Sequence, residues 1–317
     1  MAEAHNHHYV PQGYLRGFAA GVGRQAKLHV IDIKDRRAFS TLVRNVASRR
    51  DFNRLDIDGV EPNALEKAYG QFESQASEAI KRIATSRTFV GEDRVIIINL
   101  LAMLIIRNPR MRDNWAGFMD RLWRLTGDMM VAKRERWEAI TRQMKNAGYD
   151  INENVSYEQM RDFVRGGEYD IVTDRHVHIR LEIETLDKVT RMLASRNWRL
   201  SIVPDHLDDL ITCDHPVCLI STVKRPDGLL GGVGYGMTHT AVLFPLTRRI
   251  SLWGSFEDRE EVVEMRREQV AFFNTHLIRN AERQIYALND DFDYVWNRQL
   301  HRGTTFLEDL KRGPHET

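Results

Sequence analysis

The sequence contains little cysteine, proline or glycine: 2, 8 and 20 residues, respectively, out of 317. The two cysteines, Cys213 and Cys218, can build neither a disulfide framework nor a four-thiolate zinc site, and such sparse cysteine is typical of a reducing cytoplasm. Sparse glycine and proline, combined with 42% hydrophobic residues, exclude a collagen-like chain and a wholly disordered one. We therefore expect a globular protein.

A long hydrophobic segment is also lacking. The longest apolar run, VIIINLLAMLII at 95–106, is flanked by Arg94 and Arg107. It is too short for a membrane span, which needs about 20 residues, and predicts a helix buried in the protein core. The first residues, MAEAHNHHYVPQ, show no basic region followed by an apolar stretch, so no signal peptide is expected. These observations predict a cytoplasmic protein without a membrane partner.

The sequence has no excess of charge of either sign, with 46 basic and 45 acidic residues, so net charge indicates no class of partner. The basic residues are nevertheless mostly arginine, 37 Arg against 9 Lys. The planar arginine side chain suits phosphates and carboxylates. A genome rich in arginine codons would give the same bias.

Hydrophobic periodicity divides the chain into a strand-and-turn part, a helical part, a second strand-rich part closed by helices, and a frayed tail, at 1–56, 62–195, 198–288 and 309–317. Within these parts we expect one long helix at 111–146 and two closing helices at 257–274 and 276–288. Strands at both ends with helices between them predict a single composite α+β domain over 1–317. Its one sheet would combine N-terminal and C-terminal segments, and the helices would form a large insert.

No motif for a cofactor is present. The glycine-rich segment GGVGYGM at 231–237 lacks the G-x-G-x-x-G spacing and precedes a predicted strand, so it does not predict a dinucleotide site. No Walker A motif, nucleophile elbow or HExxH sequence occurs. We expect neither a metal nor an organic cofactor.

Two clusters of polar residues are candidates for a functional site. The first is HNHHYVPQGYLRGF at 5–18, where Pro11 favours an extended conformation before it. The second is the Asp- and His-rich stretch 205–216, where Asp214 and His215 lie at a predicted strand end, suited to acid–base work or to a metal. Solvated terminal histidines and an Asp-rich turn are the structural alternatives.

Two weaker signals lie in the helical part. Glu66 and Glu73 are seven residues apart and therefore on one helix face, where they could orient arginines or simply be solvated. The segment RNPRMR at 107–112 brings arginines together at a helix junction, which suits phosphate contacts or salt bridges.

The order of several short motifs resembles an uncharacterised bacterial family, domain of unknown function 4238. The hallmark His-Tyr-Val-Pro of that family stands here at residues 8–11, and further matches follow at KLHVID, DFN, RNPRMR, TCDHPV and FPLTRR. The resemblance extends from about His7 to Tyr286. The family commonly has Asp-Asn-Pro where this chain has Asp214-His215-Pro216.

The resemblance implies a role in bacterial defence against phages, and through it the excision of modified bases from phage DNA. Such a DNA glycosylase flips a base out of the duplex and stabilises an oxocarbenium-like sugar. The residues that would do this are Asp214 as the catalytic carboxylate; His8 and His215 on phosphate or the departing base; Tyr9, Tyr14 and Phe52 for stacking; Gln12 and Asn53 for reading the base; and Arg16, Arg107 and Arg112 on the DNA backbone.

Two other functions stay open. A metal-dependent nuclease would use His7, His8 and the 205–214 cluster as ligands, and would be inhibited by EDTA. A non-catalytic nucleic-acid sensor or interaction protein would use the His-Tyr-Val-Pro segment only to dock the N-terminus. We further expect residues 7–18 to lie beside 211–217, and Asp214→Asn to abolish activity with little effect on stability. The sequence indicates no oligomeric state.

Overall fold

A computed structural model describes residues 5–152, 154–224 and 232–313. Strands dominate the described residues at both ends of the chain and helices dominate the middle, so the predicted α+β class is confirmed. The Pro226-Asp227-Gly228 turn and the start of the glycine-rich segment lie outside the described residues.

The helices are α1 Gln12–Leu15, α2 Ala64–Ser86, α3 Gly91–Ile106, α4 Pro109–Met130, α5 Arg134–Asn146, α6 Tyr157–Gly166, α7 Arg175–Ala194, α8 Arg267–Asn280 and α9 Phe306–Arg312. The strands are β1 Asn6–His8, β2 Lys27–Asp32, β3 Arg37–Leu42, β4 Ser48–Arg50, β5 Asn197–Ile202, β6 Thr212–Cys213, β7 Cys218–Ser221, β8 Thr240–Thr247, β9 Ile250–Ser255, β10 Val262–Glu264, β11 Gln284–Ala287, β12 Asp293–Trp296 and β13 Gln299–Arg302.

The described strands form four sheets, where the sequence predicted one. A five-stranded sheet has the order β10-β5-β9-β8-β7, and a four-stranded sheet has the order β3-β2-β11-β6. The pairs β1-β4 and β12-β13 form two small sheets. The four-stranded sheet joins strands from the two ends of the chain, and an ion pair of 2.7 Å between Asp32 and Arg283 lies where β2 ends and β11 begins.

The helix predicted from the apolar run is α3, and it is buried. Nine of its residues are buried, and it has apolar residues on every side, as a helix surrounded by protein must. It packs in one core with Ile80 and Ile83 of α2 and with Phe244 of β8. This core supports the segment that carries the first polar cluster, because Val10, Tyr14 and Leu15 belong to it.

The described residues divide into two compact units. Pro109–Arg180, which contains α4, α5 and α6, forms one unit, and the described residues before and after it form the other. The expectation was a single domain with a helical insert at 62–195. The structure differs because α2 and α3 contribute their apolar faces to the core of the first unit.

Four elements differ from the sequence prediction. The helix expected at 257–274 begins only at Arg267, because residues 262–264 form strand β10, which pairs with β5. The single helix expected at 111–146 is two helices, α4 and α5, separated by a break at which Val131 is buried. The helix expected at 276–288 is replaced by the end of α8 and by β11, because pairing with strands on both sides decides the structure of a short apolar run. The tail expected to be frayed from 309 is helical to Arg312, with Phe306 and Asp309 buried.

Candidate functional site

A polar cavity of about 220 Å³ lies where α1 and the residues around it approach α2. Its lining comes from two stretches of the chain, namely His8, Gln12, Gly13 and Arg16 from the first polar cluster and Glu66, Gly70, Glu73, Ser74 and Ser77 from α2. We call this cavity the carboxylate pocket. It unites the N-terminal cluster with the glutamate pair, two features that the sequence suggested separately.

Backbone and side-chain hydrogen bonds fix the N-terminal segment beside the carboxylate pocket. β1 pairs with β4, and the Tyr9 N–H donates to the Ala47 carbonyl at 2.9 Å. The Tyr14 hydroxyl lies 2.7 Å from the Thr212 hydroxyl and donates to the Pro245 carbonyl at 2.8 Å. The expectation that this segment lies beside the strand end at 212 is therefore confirmed.

A glycine permits the close approach of α1 to α2. A Cβ atom built on Gly13 would lie 1.8 Å from the Ser77 Oγ and 3.1 Å from the Ser77 Cβ. Both residues line the carboxylate pocket, so this contact sets one of its walls. Any side chain at position 13 would force the two elements apart or displace Ser77.

Each carboxylate of the pocket is anchored through one oxygen. The Asn53 side-chain amide donates to Glu66 Oε2 at 2.6 Å, and the Arg107 guanidinium donates to Glu73 Oε1 at 2.7 Å. Within the described ranges, no other hydrogen bond engages the remaining oxygen of either carboxylate. Two oriented carboxylates, each with one oxygen available, therefore serve the same pocket.

Arg107 supports Glu73 from the protein interior. The Arg107 side chain is 2% exposed and its guanidinium lies over the Tyr69 ring at 4.2 Å. Its Nε and Nη1 atoms are buried without a hydrogen-bond partner in the described part of the chain. Because Arg107 is buried, it is placed to orient Glu73, whereas the sequence suggested a contact with a DNA backbone.

Burial gives the pocket two titratable groups that favour their neutral forms. Burial raises the pKa of the Glu73 carboxyl, although the neighbouring Arg107 opposes the rise. Burial likewise lowers the pKa of His8. A carboxyl group with a raised pKa beside a second carboxylate is an arrangement that supports general acid catalysis.

His8 connects the carboxylate pocket to a neighbouring turn. Its Nε2 atom donates to the Arg44 carbonyl at 3.3 Å, and its Nδ1 atom lies 3.5 Å from the Gln12 side-chain amide, which donates to it. This pair of contacts selects the tautomer protonated at Nε2. His8 therefore positions Gln12 and the Arg44 turn on one side of the pocket.

Asp214 has a structural environment that the sequence did not reveal. The residue is 5% exposed, whereas a solvent-accessible strand end was expected. Its Oδ1 atom accepts the N–H of Glu282 at 2.8 Å, and its Oδ2 atom accepts the N–H groups of Arg283 and Gln284 at 2.8 and 3.0 Å. Burial raises the pKa of Asp214, and the three donors oppose this rise. Both oxygens thus cap the start of β11.

His215, the second residue of the expected Asp-His pair, is also held by hydrogen bonds within the fold. His215 is buried, and the Asn280 amide lies 3.2 Å from its Nδ1 atom and donates to its carbonyl at 2.6 Å. The same amide donates to the Val217 carbonyl at 3.1 Å. Asn280 therefore holds the turn between β6 and β7.

The residues expected to stack on a base differ in exposure. Tyr14 is 1% exposed and stacks on Phe244 at 5.1 Å, and Phe52 is also buried. Tyr9 is partly buried and pairs with Phe52 at 6.1 Å. Tyr9 is therefore the only one of the three that is not fully buried.

Three further candidates lie in different surroundings. Asn53 is buried, and its N–H donates to His7 Nδ1 at 2.9 Å, so that His7 and Asn53 together support Glu66. Arg16 is exposed and lines the carboxylate pocket. Arg112 belongs to the second unit.

The described residues contain neither a cluster of metal ligands nor a membrane-spanning helix. No group of three or more His, Cys, Asp and Glu residues in the described ranges is arranged to hold a metal ion. None of the helices described here combines the length and the apolar character that crossing a membrane requires.

The sequence pointed to most residues of the site, including Glu66, Glu73 and Arg107, and overlooked others. His8, Gln12 and Arg16 belong to the carboxylate pocket as a group, and Asn53 supports it from behind. Arg24 and Arg44, which lie nearby, were not singled out because each is an isolated arginine on a turn. Glu66 and Glu73, which were only a weak signal in the sequence, both line the pocket, as their seven-residue spacing on one helix face indicated.

Comparisons with known proteins give one result. The family described as protein of unknown function (DUF4238) matches residues 6–291. No curated protein and no solved structure matches the chain. The matched range includes every residue of the carboxylate pocket and every strand of both large sheets, so the chain belongs to the DUF4238 family.

Proposed function

We propose that the carboxylate pocket is the active site of a hydrolase that cleaves the N-glycosidic bond of a modified base in DNA and leaves an abasic site. One observation carries the proposal: Glu66 and Glu73 serve one pocket, each held through a single oxygen. Hydrolysis of a glycosidic bond needs two carboxyl groups with different roles, one acidic and one ionised.

Glu73 is the general acid in this proposal. Burial keeps its carboxyl group protonated to a higher pH, and Arg107 orients it through Oε1. The available oxygen then gives its proton to the nitrogen of the departing base as the bond to the sugar breaks.

Glu66 acts on the sugar. Its carboxylate stabilises the positive charge that develops as the base departs, and it orients the water that attacks the same sugar carbon. The bond from water oxygen to this carbon replaces the bond to the base, and Glu66 accepts the proton that the water loses. His8 and Gln12 border the position of the base or sugar from the opposite wall.

The cavity and the nearby arginines support DNA as the substrate. The carboxylate pocket, at about 220 Å³, is smaller than the usual site for a drug-sized ligand, so it suits a single flipped base or sugar and excludes an intact duplex. Arg16 at its edge offers a positive charge to a phosphate. We include a role in defence against phages in this proposal because the family resemblance implies it.

The test is incubation with phage DNA that carries different cytosine modifications, followed by mass spectrometry of released bases. We expect Glu66→Gln and Glu73→Gln to lower base release by about 10²–10³. Glu78→Gln is the matched control, because Glu78 is an exposed residue of α2 paired with Lys81.

Two results would contradict the proposal. One is unchanged base release in folded Glu66→Gln and Glu73→Gln proteins. The other is direct strand cleavage that EDTA abolishes, which is the behaviour of a metal-dependent nuclease.

A further inference from the structure

A second cavity lies beside the carboxylate pocket. Its volume is about 240 Å³, and Gln12 and Arg16 line both cavities. Its remaining lining residues are Gly23, Arg24, Val43 and Arg44. We call it the arginine cavity, and we propose that it binds the phosphate ester of the nucleotide whose base or sugar occupies the carboxylate pocket. This inference rests on the proposed function.

Three short turns of 3-10 helix supply the arginines. Arg16 begins the turn Arg16–Phe18, Arg24 lies in Gly23–Gln25, and Arg44 lies in Val43–Asn45. The Val43 N–H donates to the Ala26 carbonyl at 3.0 Å, which ties the second turn to the third. This backbone contact fixes the second and third turns relative to each other without a ligand.

The guanidinium groups of these arginines are available to a ligand. Within the part of the chain that the structure describes, none of the three forms a hydrogen bond or ion pair through its side chain, although this protein pairs many of its other arginines with Asp or Glu. All three residues are exposed, and no acidic residue lines the arginine cavity. Three positive charges around one cavity without a neighbouring carboxylate favour an anion.

Gln12 and Arg16, which line both cavities, indicate what kind of anion the ligand carries. A ligand that fills both cavities must place an uncharged or cationic part near Glu66 and Glu73 and an anionic part near the arginines. A nucleotide has this arrangement, since its sugar and base carry no formal charge and its phosphate is negative. The Arg16 side chain lies at the boundary of the two cavities, where the phosphate joins the sugar.

The test measures binding without turnover, by isothermal titration calorimetry. The probes are deoxycytidine 5′-monophosphate, deoxycytidine, and a single-stranded DNA octamer. We expect the nucleotide or the octamer to bind at least about tenfold more tightly than the nucleoside, because charge-assisted hydrogen bonds to phosphate are strong. The triple variant R16Q/R24Q/R44Q should remove that preference.

The control variant is Arg259→Gln, an exposed arginine for which no hydrogen bond or ion pair is found within the described ranges. It should retain the preference. Tight binding of the monophosphate identifies a free nucleotide as sufficient, whereas tight binding of the octamer alone identifies a phosphate within a strand. Equal binding of nucleotide, octamer and nucleoside, or an undiminished preference in the folded triple variant, overturns the inference.

Base release separates this inference from the proposed function. Phosphate-dependent binding without base release from any modified DNA supports the arginine cavity and refutes the glycosylase reaction. Base release with binding that does not depend on the three arginines supports the reaction and refutes the phosphate site.

Discussion

Glu66 and Glu73 have the same side chain and lie on the same face of α2, yet different neighbours anchor them. A neutral amide holds Glu66, and a buried guanidinium holds Glu73. Charge near one carboxylate and burial around it decide its protonation, so identical residues can take different roles within one pocket.

The raised pKa of Glu73 predicts a pH dependence of base release. The protonated form is the proposed acid, so we expect the rate to fall as the pH rises through the folded-state pKa, which lies above the ordinary 4.5. For stability the sign is the same: the contribution of Glu73 is full below pH 4.5 and is lost as the pH rises through its folded-state pKa.

A pH–rate profile and a pH series of urea denaturation check both expectations. In Glu73→Gln the amide does not titrate, so the dependence on this group should disappear from the stability curve. An identical stability curve for the wild type and this variant would contradict the assignment of the raised pKa to Glu73.

We expect Asp214→Asn to lower stability, which corrects the expectation from the sequence that this change would have little effect on stability. The carboxylate accepts three backbone N–H groups through two oxygens, whereas an asparagine has one oxygen and turns an NH₂ donor toward at least one of those N–H groups. An unsatisfied buried donor costs about 1–3 kcal/mol.

Thermal and urea unfolding measure this loss. Asp205→Asn is the matched control, because Asp205 is an exposed residue of the same Asp-rich stretch. An Asp214→Asn protein as stable as the wild type would show that the cap is dispensable.

At the scale of elements, the contact between α1 and α2 shapes the carboxylate pocket. We expect Gly13→Ala to destabilise the protein by about 1–3 kcal/mol, because the added Cβ would overlap the Ser77 Oγ. A glycine-to-alanine change within a helix otherwise stabilises a protein by about 1 kcal/mol. A loss of stability on Gly13→Ala would therefore be due to the steric overlap with Ser77.

A double-mutant cycle with Ser77→Gly tests this explanation. In the Ser77→Gly background the obstructing atoms are gone, and Gly13→Ala should then be neutral or stabilising. An equal loss of stability in both backgrounds would place the cause elsewhere.

The sequence predicted elements well where the pattern was long. The apolar run of α3 has only one structural solution, a helix surrounded by protein, and its boundaries were close to the observed ones. β11 was predicted as helix because its four residues carry too little periodicity to decide. Its neighbours β2 and β6, distant in the chain, determine its conformation.

The site was predicted in part for the same reason. The spacing of Glu66 and Glu73 is a local property and was visible, whereas the contacts to Asn53 and Arg107 depend on the fold. For Asp214 the sequence predicted a catalytic role, whereas the fold places its carboxylate on backbone N–H groups. Its position at a strand end was visible, but the donors at 282–284 that occupy its carboxylate were not.

At the scale of the whole molecule, the two units differ in how much of their helices they bury. α3 of the first unit has nine buried residues, while α5 and α6 of the second unit, both wholly described, have none. We therefore expect amide hydrogens of α3 to exchange at least about 100-fold more slowly than those of α5 and α6. Hydrogen exchange read by mass spectrometry checks this, and equal protection in the three helices would contradict it.

The pairing of β2 with β11 also determines when the four-stranded sheet can form during synthesis of the chain. Asp32 and its partner Arg283 are 251 residues apart, so the ribosome needs about 10–50 s to reach the second strand after it has made the first. Through this interval β2 and β3 exist only as a hairpin, and an isolated hairpin is marginally stable. A nascent chain therefore cannot complete this sheet until about the last tenth of the protein is being translated.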